Sequence, residues 1–183
     1  MNGSIRLMER GSFLVIGCCA WYLAWWVLAF RPVSPITGLA SGWLLLPSLA
    51  FGVSGVYILA KGIRLAPHPI EGNVLIVASV AVYLLLLFLS RFLLHRPVTT
   101  ELFLIIGWAL LTAMEINALS GLGVFSPTRI AWASVIAVLS VVVSLVCYFR
   151  YYGLEGVARY IDGMIPLFLV AVTESILSLL IIR

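Results

Sequence analysis

Apolar residues run along this chain in six long stretches, at roughly 12–30, 39–60, 73–94, 101–120, 130–149 and 161–182. Each is close to the ~20 residues a helix needs to cross about 30 Å of hydrocarbon. The pattern predicts six transmembrane helices. Pro, Gly and charge mark the breaks: Arg31-Pro32-Val33-Ser34-Pro35, Lys61 to Gly72 with Pro67 and Pro69, Arg96-Pro97, Gly121 to Arg129 with Pro127, and Arg150 to Asp162. Loops this short make consecutive helices antiparallel neighbours and leave no room for a soluble domain. The expected fold class is an all-α integral membrane protein, with residues 1–183 forming one transmembrane domain of three hairpins.

The first two hairpins carry a repeat. The sixteen residues from Arg31 and the sixteen from Arg96 share eight identities. Arg31-Pro32-Val33-Ser34 aligns with Arg96-Pro97-Val98-Thr99, and Gly42-Trp43 with Gly107-Trp108. Leu39, Leu45 and Leu46 align with Leu104, Leu110 and Leu111. Two crossings separate the units, 12–64 and 73–129, so a duplication would place a pseudo-symmetry axis along the membrane normal. The third hairpin, 130–183, lacks the motif. The competing explanation is that Arg-Pro ends a helix at the interface and Trp anchors it independently.

Composition narrows the solvent. Of 183 residues, 63% are hydrophobic and 10% charged, against about 25% charged in a soluble domain. That leaves too little polar surface to cover a globule in water. The net charge of +4 comes from basic residues set singly between apolar runs, which reads as topology and not as a nucleic-acid patch. One side would carry Arg6, Arg10, Lys61, Arg64, Arg129 and Arg183, and the other Arg31, Arg91, Arg96, Arg150 and Arg159. The excess of one favours cytoplasmic termini, in the cell (inner) membrane. Arg6 and Arg10 before an apolar run resemble a signal peptide. The run is long, however, carries Trp21, Trp25 and Trp26, and shows no small-x-small cleavage site near Arg31, so it is read as a retained first helix.

Small residues at i+4 spacing mark candidate packing faces: Gly38 and Gly42, Ser48 and Gly52, Ala133 and Ala137, Ser140 and Ser144, Ala20 and Ala24. The partners expected are the lipid bilayer and other membrane subunits or further copies of the chain. Trp21, Trp25, Trp26 and Tyr22 cluster in the first helix, and Tyr148, Phe149, Tyr151, Tyr152 and Tyr160 read as an interfacial belt.

The candidate chemistry rests on two carboxylates. Glu115 and Glu174 lie inside membrane stretches, where an ionised side chain costs on the order of 3 kcal/mol on insertion scales. Such groups face a bundle interior, a partner or a water-filled path. The fourth and sixth helices run in the same direction, and both residues lie a few positions past their helix midpoints, so they sit at similar depth and can meet. Thr112 precedes Glu115 by three. Asn117 is nearby on a different face. Asp162, Pro166, Val170, Glu174 and Ser178 recur at i+4 spacing, a polar track from helix start to mid-depth. The function expected is a transporter or channel component whose ion or substrate path uses Glu115, Glu174, Asn117, Thr112, Ser178 and Asp162. The alternative is a non-catalytic integral subunit that scaffolds a larger membrane complex. There the carboxylates would be clamped to Arg129 or Arg64, or would face another subunit.

Other motifs carry no chemistry. His68 and His95 lie in loops on opposite sides, unlike haem ligands at membrane depth. Cys18, Cys19 and Cys147 form no CxxC and have no His at ligand spacing, so no metal or cofactor is expected. Gly52-Val53-Ser54-Gly55 matches the Gly-x-Ser-Gly string of intramembrane serine proteases, but no intramembrane His exists to act as base. Arg150, Glu155, Arg159 and Asp162 are the only polar cluster that an interfacial enzyme could use, and catalysis is not expected.

Overall fold

An apolar run away from water must satisfy its backbone amides internally, so it folds as helix. The structure, a computed structural model, describes residues 2–30, 42–95 and 99–182. Among these residues six long helices follow in order: α1 (Asn2–Phe30), α2 (Leu45–Arg64), α3 (Gly72–Phe88), α4 (Thr100–Gly121), α5 (Pro127–Tyr151) and α6 (Gly156–Ile182). A π-helical turn, Leu89–Leu93, ends α3. No strand occurs among the described residues, and six helices are long and apolar enough to cross a bilayer.

The helices outrun the apolar stretches. α1 begins at Asn2, not near 12, and α6 at Gly156, not near 161. Helical hydrogen bonding does not depend on apolarity, and Arg6, Glu9 and Arg10 are good helix formers that carry α1 beyond its hydrophobic part. α5 starts at Pro127 behind Ser126, whose Oγ accepts the Arg129 amide at 3.4 Å, an N-cap followed by proline at the first helical position. In the π turn the Ser90 hydroxyl donates to the Leu86 carbonyl at 2.6 Å, and the Leu94 amide reaches back to Leu89 O at 2.9 Å.

The bundle is built around α4. Half of its apolar span is buried, more than in any other helix. α3, α5 and α2 pack on it directly. α1 lies along α2 and α6, and α6 lies along α5. α3 is peripheral: none of its residues from Gly72 to Phe88 is buried. The polarity of the bundle is inverted relative to a water-soluble protein. Val77, Leu84, Phe103, Leu104, Val138 and Phe168 are exposed, while Ser12, Thr112, Glu115, Ser140, Thr173 and Glu174 are buried. An apolar exterior of this kind fits a lipid environment.

Along α4 the interior falls into three layers. Leu102 and Ile105 pack with Tyr148 at one end. Ile116, Ala118 and Leu119 join Met8, Leu59, Ile63 and Leu177 at the other. Polar side chains occupy the level between. Tyr148 thus leaves the expected aromatic belt. It is 5% exposed and packs against Leu102 and Ile105, because its position on α5 points inward.

The closest helix pair is α1 and α2. A Cβ on Gly11 would stand 2.6 Å from the Leu59 backbone nitrogen, and one on Gly62 2.8 Å from the Met8 backbone nitrogen. Gly55 likewise meets the Val15 nitrogen at 2.9 Å. These glycines let the two backbones touch, as small residues do in membrane bundles. The Ser48 hydroxyl donates to Cys18 O at 3.2 Å across the same seam. Of the other spaced pairs, Ser140 meets Thr173 of α6 at 2.9 Å. Ala20 and Ala24 are exposed, so they mark no packing face within the chain.

The Arg-Pro-Val parts of the repeat, with Gly38 and Leu39, lie outside the described residues. Its described tryptophans have unlike surroundings: Trp43 is 70% exposed just before α2, whereas Trp108 points into the bundle from mid-α4.

The glycine seam yields a direct test. Ala is the better helix former by about 1 kcal/mol, so Gly17→Ala, whose Cβ would find only Phe51 Cγ at 3.9 Å, should leave stability unchanged or raised. Gly11→Ala must push α2 away and should cost about 1–3 kcal/mol. Thermal unfolding of both variants in mild detergent separates them.

Candidate functional site

Three helices supply the polar layer, and each side chain is placed by its helix register. On α4, Trp108, Thr112 and Glu115 fall at i, i+4 and i+7, one face of one helix. On α6, Glu174 lies eight residues before Ile182, about 12 Å from that end. On α1, Ser12 lies ten residues after Asn2, about 15 Å in from the same side. α1 runs opposite to α4 and α6, so these positions meet at one depth.

The Ser12 hydroxyl donates to Glu115 Oε1 at 3.1 Å. The Trp108 indole N–H and the Thr112 hydroxyl both donate to Glu174 Oε1, at 3.1 and 3.4 Å. Ser12 also lies beside Glu174, and the two carboxylates are close enough to interact electrostatically. Both carboxylates are 0% exposed. Oε2 of each is buried and meets no donor among the described residues. The tight α1–α2 seam fixes the register of Ser12, and the apolar layers of α4 close the site above and below.

Among the described residues no arginine bonds to the pair. Arg129 donates from Nη1 to the Leu180 carbonyl at 3.4 Å instead, which satisfies a carbonyl in the last turn of α6. The donors on the carboxylates are a hydroxyl, an indole and a second hydroxyl. They can orient a carboxyl group in either protonation state, but they supply no positive charge. Among the described residues, no three of His, Cys, Asp and Glu gather as metal ligands would.

Of the residues expected to act together, the structure gathers Glu115, Glu174 and Thr112. Ser178 is buried one turn beyond Glu174, with its hydroxyl unpaired among the described residues. Asp162 is buried near the opposite end of α6, beside Cys147. Twelve residues separate it from Glu174, about 18 Å along the axis, so it stands outside the carboxylate layer. Asn117 points away from the pair. Its Oδ1 accepts the Ile70 amide at 3.1 Å and its Nδ2 donates to Ile70 O at 2.7 Å, which clips the α2–α3 loop onto α4. A Cβ on the neighbouring Gly121 would strike the Pro67 carbonyl, so that loop lies against the helix end.

Ser12 and Trp108 were not among the expected residues. Trp108 was accessible from the sequence through its i, i+4, i+7 spacing with Thr112 and Glu115. Ser12 has a weaker signal, a lone hydroxyl at matching depth in α1. Compared with known proteins, the chain matches no family model, no curated protein and no solved structure.

The Asn117 clip has a measurable role. Asn117→Ala removes two hydrogen bonds to one loop residue and should lower stability by about 1–2 kcal/mol, read by denaturant unfolding of the purified chain. Asn117→Asp keeps the acceptor for the Ile70 amide and loses the donor to its carbonyl, and should fall between the two.

Proposed function

We propose that this chain is a small integral membrane transporter or channel component in which Glu115 and Glu174 form the ion-binding point of a path through the bundle. One observation carries the reading: two fully buried carboxylates face each other's field and, among the described residues, receive only hydroxyl and indole donors. Two ionised carboxylates in a dry interior would each cost several kcal/mol and would repel. A site of this composition therefore holds a proton or a cation, and whatever it holds can be exchanged. Thr112, Trp108 and Ser12 orient the carboxyl groups. Ser178 extends the polar surface toward the side of the termini, and Asp162 would receive the ion at the other mouth. Intramembrane carboxylates of proton relays and ion pathways share this placement. The closed layers above and below describe an occluded state, which must open to either side during transport. The six helices span the cell membrane with cytoplasmic termini, a topology that rests on the basic residues alone. No catalytic role is assigned.

The second reading is a non-catalytic subunit of a larger membrane complex. It is favoured by α3, an apolar helix with no buried residue between Gly72 and Phe88, whose outer faces suit another membrane helix as well as lipid.

Proton and cation flux into liposomes carrying the purified chain tests the first reading. The wild type should conduct or exchange, and Glu115→Gln and Glu174→Gln should each lose at least about tenfold in rate, since a charge-exchanging group is removed. Circular dichroism and gel filtration must show the variants folded. If no sample carries flux, and a protein co-purifies in fixed ratio, the subunit reading replaces it.

A further inference from the structure

Beside the carboxylate layer lies a cavity of about 480 Å³, walled by α4, α5 and the start of α3. This falls within the roughly 300–1,000 Å³ of small-molecule sites. Its lining is almost wholly apolar: Leu75, Ala109, Ala113 and Val138 are representative. It lies at the flank of the bundle, because Val138 and Val142 on its α5 wall are exposed. At its inner wall stand Trp108 and Thr112, the two residues that donate to Glu174. One layer of side chain thus separates an apolar, laterally open groove from a buried carboxylate pair whose donors, among the described residues, are all uncharged.

The geometry points to this groove as the binding site of a hydrophobic organic cation, which enters sideways between α3 and α5 and pairs with Glu174 through the place of the Trp108 indole. This deepens the ion-path reading and rests on it. Apolar walls accept the body of such a molecule, and the carboxylate accepts its charge. Trp108 is suited to the boundary, since an indole face attracts a cation and its N–H releases the carboxylate when the ring turns. An anion of the same shape would meet the carboxylates with repulsion, and a small hydrated cation would gain nothing from the groove. The narrowness of α3's attachment matters too. Among the described helices α3 packs chiefly on α4, so the groove can widen without separating the α1–α2 seam.

Equilibrium dialysis of the full chain in nanodiscs tests this with tetraphenylphosphonium and tetraphenylborate, ions of like size and opposite charge. Saturable, stoichiometric binding of the phosphonium and none of the borate is expected, together with quenching of tryptophan fluorescence. Glu174→Gln should weaken phosphonium binding at least about thirtyfold, the scale of a lost buried charge partner. Val138→Phe and Ala109→Leu fill the groove from its outer and middle wall. They should weaken binding about tenfold or more, with the Glu174 surroundings intact. Equal uptake of both ions, or unchanged affinity in both groove-filling variants, would overturn the proposal. Proton flux separates the two levels. Flux that depends on Glu174 without phosphonium binding leaves the ion path standing and removes the groove site. If flux and binding are both missing, both readings fall.

Discussion

The cost of placing Glu115 away from water organises this bundle. A carboxylate cannot face hydrocarbon without a penalty of several kcal/mol, so the helix that carries it must be enclosed. α4 is accordingly the most buried helix, and α2, α3 and α5 pack on it directly, while α1 and α6 reach it through side chains. The layer draws on three different helices, two of them supplying the donors, because one helix face cannot surround a carboxyl group. Ser12 comes from α1, and Trp108 and Thr112 from α4, the last two reaching across to α6. The polar layer thereby ties together helices whose backbones are not in close contact. In the lipid environment that the apolar exterior fits, hydrophobic burial could not play that part, since lipid is as apolar as leucine.

How much of this is written in the sequence follows from the range of the interactions. Six helices and their order are legible, because length and apolarity are local properties and membrane backbones have few options. The shared depth of Glu115 and Glu174 is legible by counting residues from helix ends. Their partners are not: whether Ser12 or Arg129 answers a carboxylate depends on rotation and tilt set by packing. Arg129 turned out to cap a carbonyl of α6. Asn117 shows the same limit. Two residues from Glu115, it lies 200° around the helix, so it serves the loop and not the site. Tyr148 was misplaced because aromatic composition near a helix end does not say which way the ring points. The small-residue spacing found Ser48 and Gly52 but not Gly11, since one glycine against a leucine backbone makes no pattern along its own helix.

The bundle is uneven in its attachments. On one flank, α1 and α2 touch backbone to backbone at Gly11, Gly55 and Gly62, a contact that tolerates no added atom. On the other, α3 is held by α4, by the Tyr83–Phe103 ring pair with centroids 6.0 Å apart, and by the loop clipped at Asn117. Rigid seams transmit force, and loosely held elements absorb it. Ser12 rides on the rigid flank, and the groove lies on the loose one. The site therefore has one fixed wall and one that can yield.

The position of Glu174 in the last helix also bears on how the chain is made. Synthesis proceeds from α1 to α6, so Glu115 leaves the ribosome some sixty residues ahead of its counterpart. During that interval α1 and α2 can already be joined along their glycines, with Ser12 presented. Glu115 can therefore find a hydroxyl as soon as α4 emerges. Trp108 and Thr112 have no carboxylate to serve until α6 arrives. The same hydrogen bonds that orient Glu174 in the finished bundle thus act as a latch on assembly, leaving the centre incomplete until the last helix has docked.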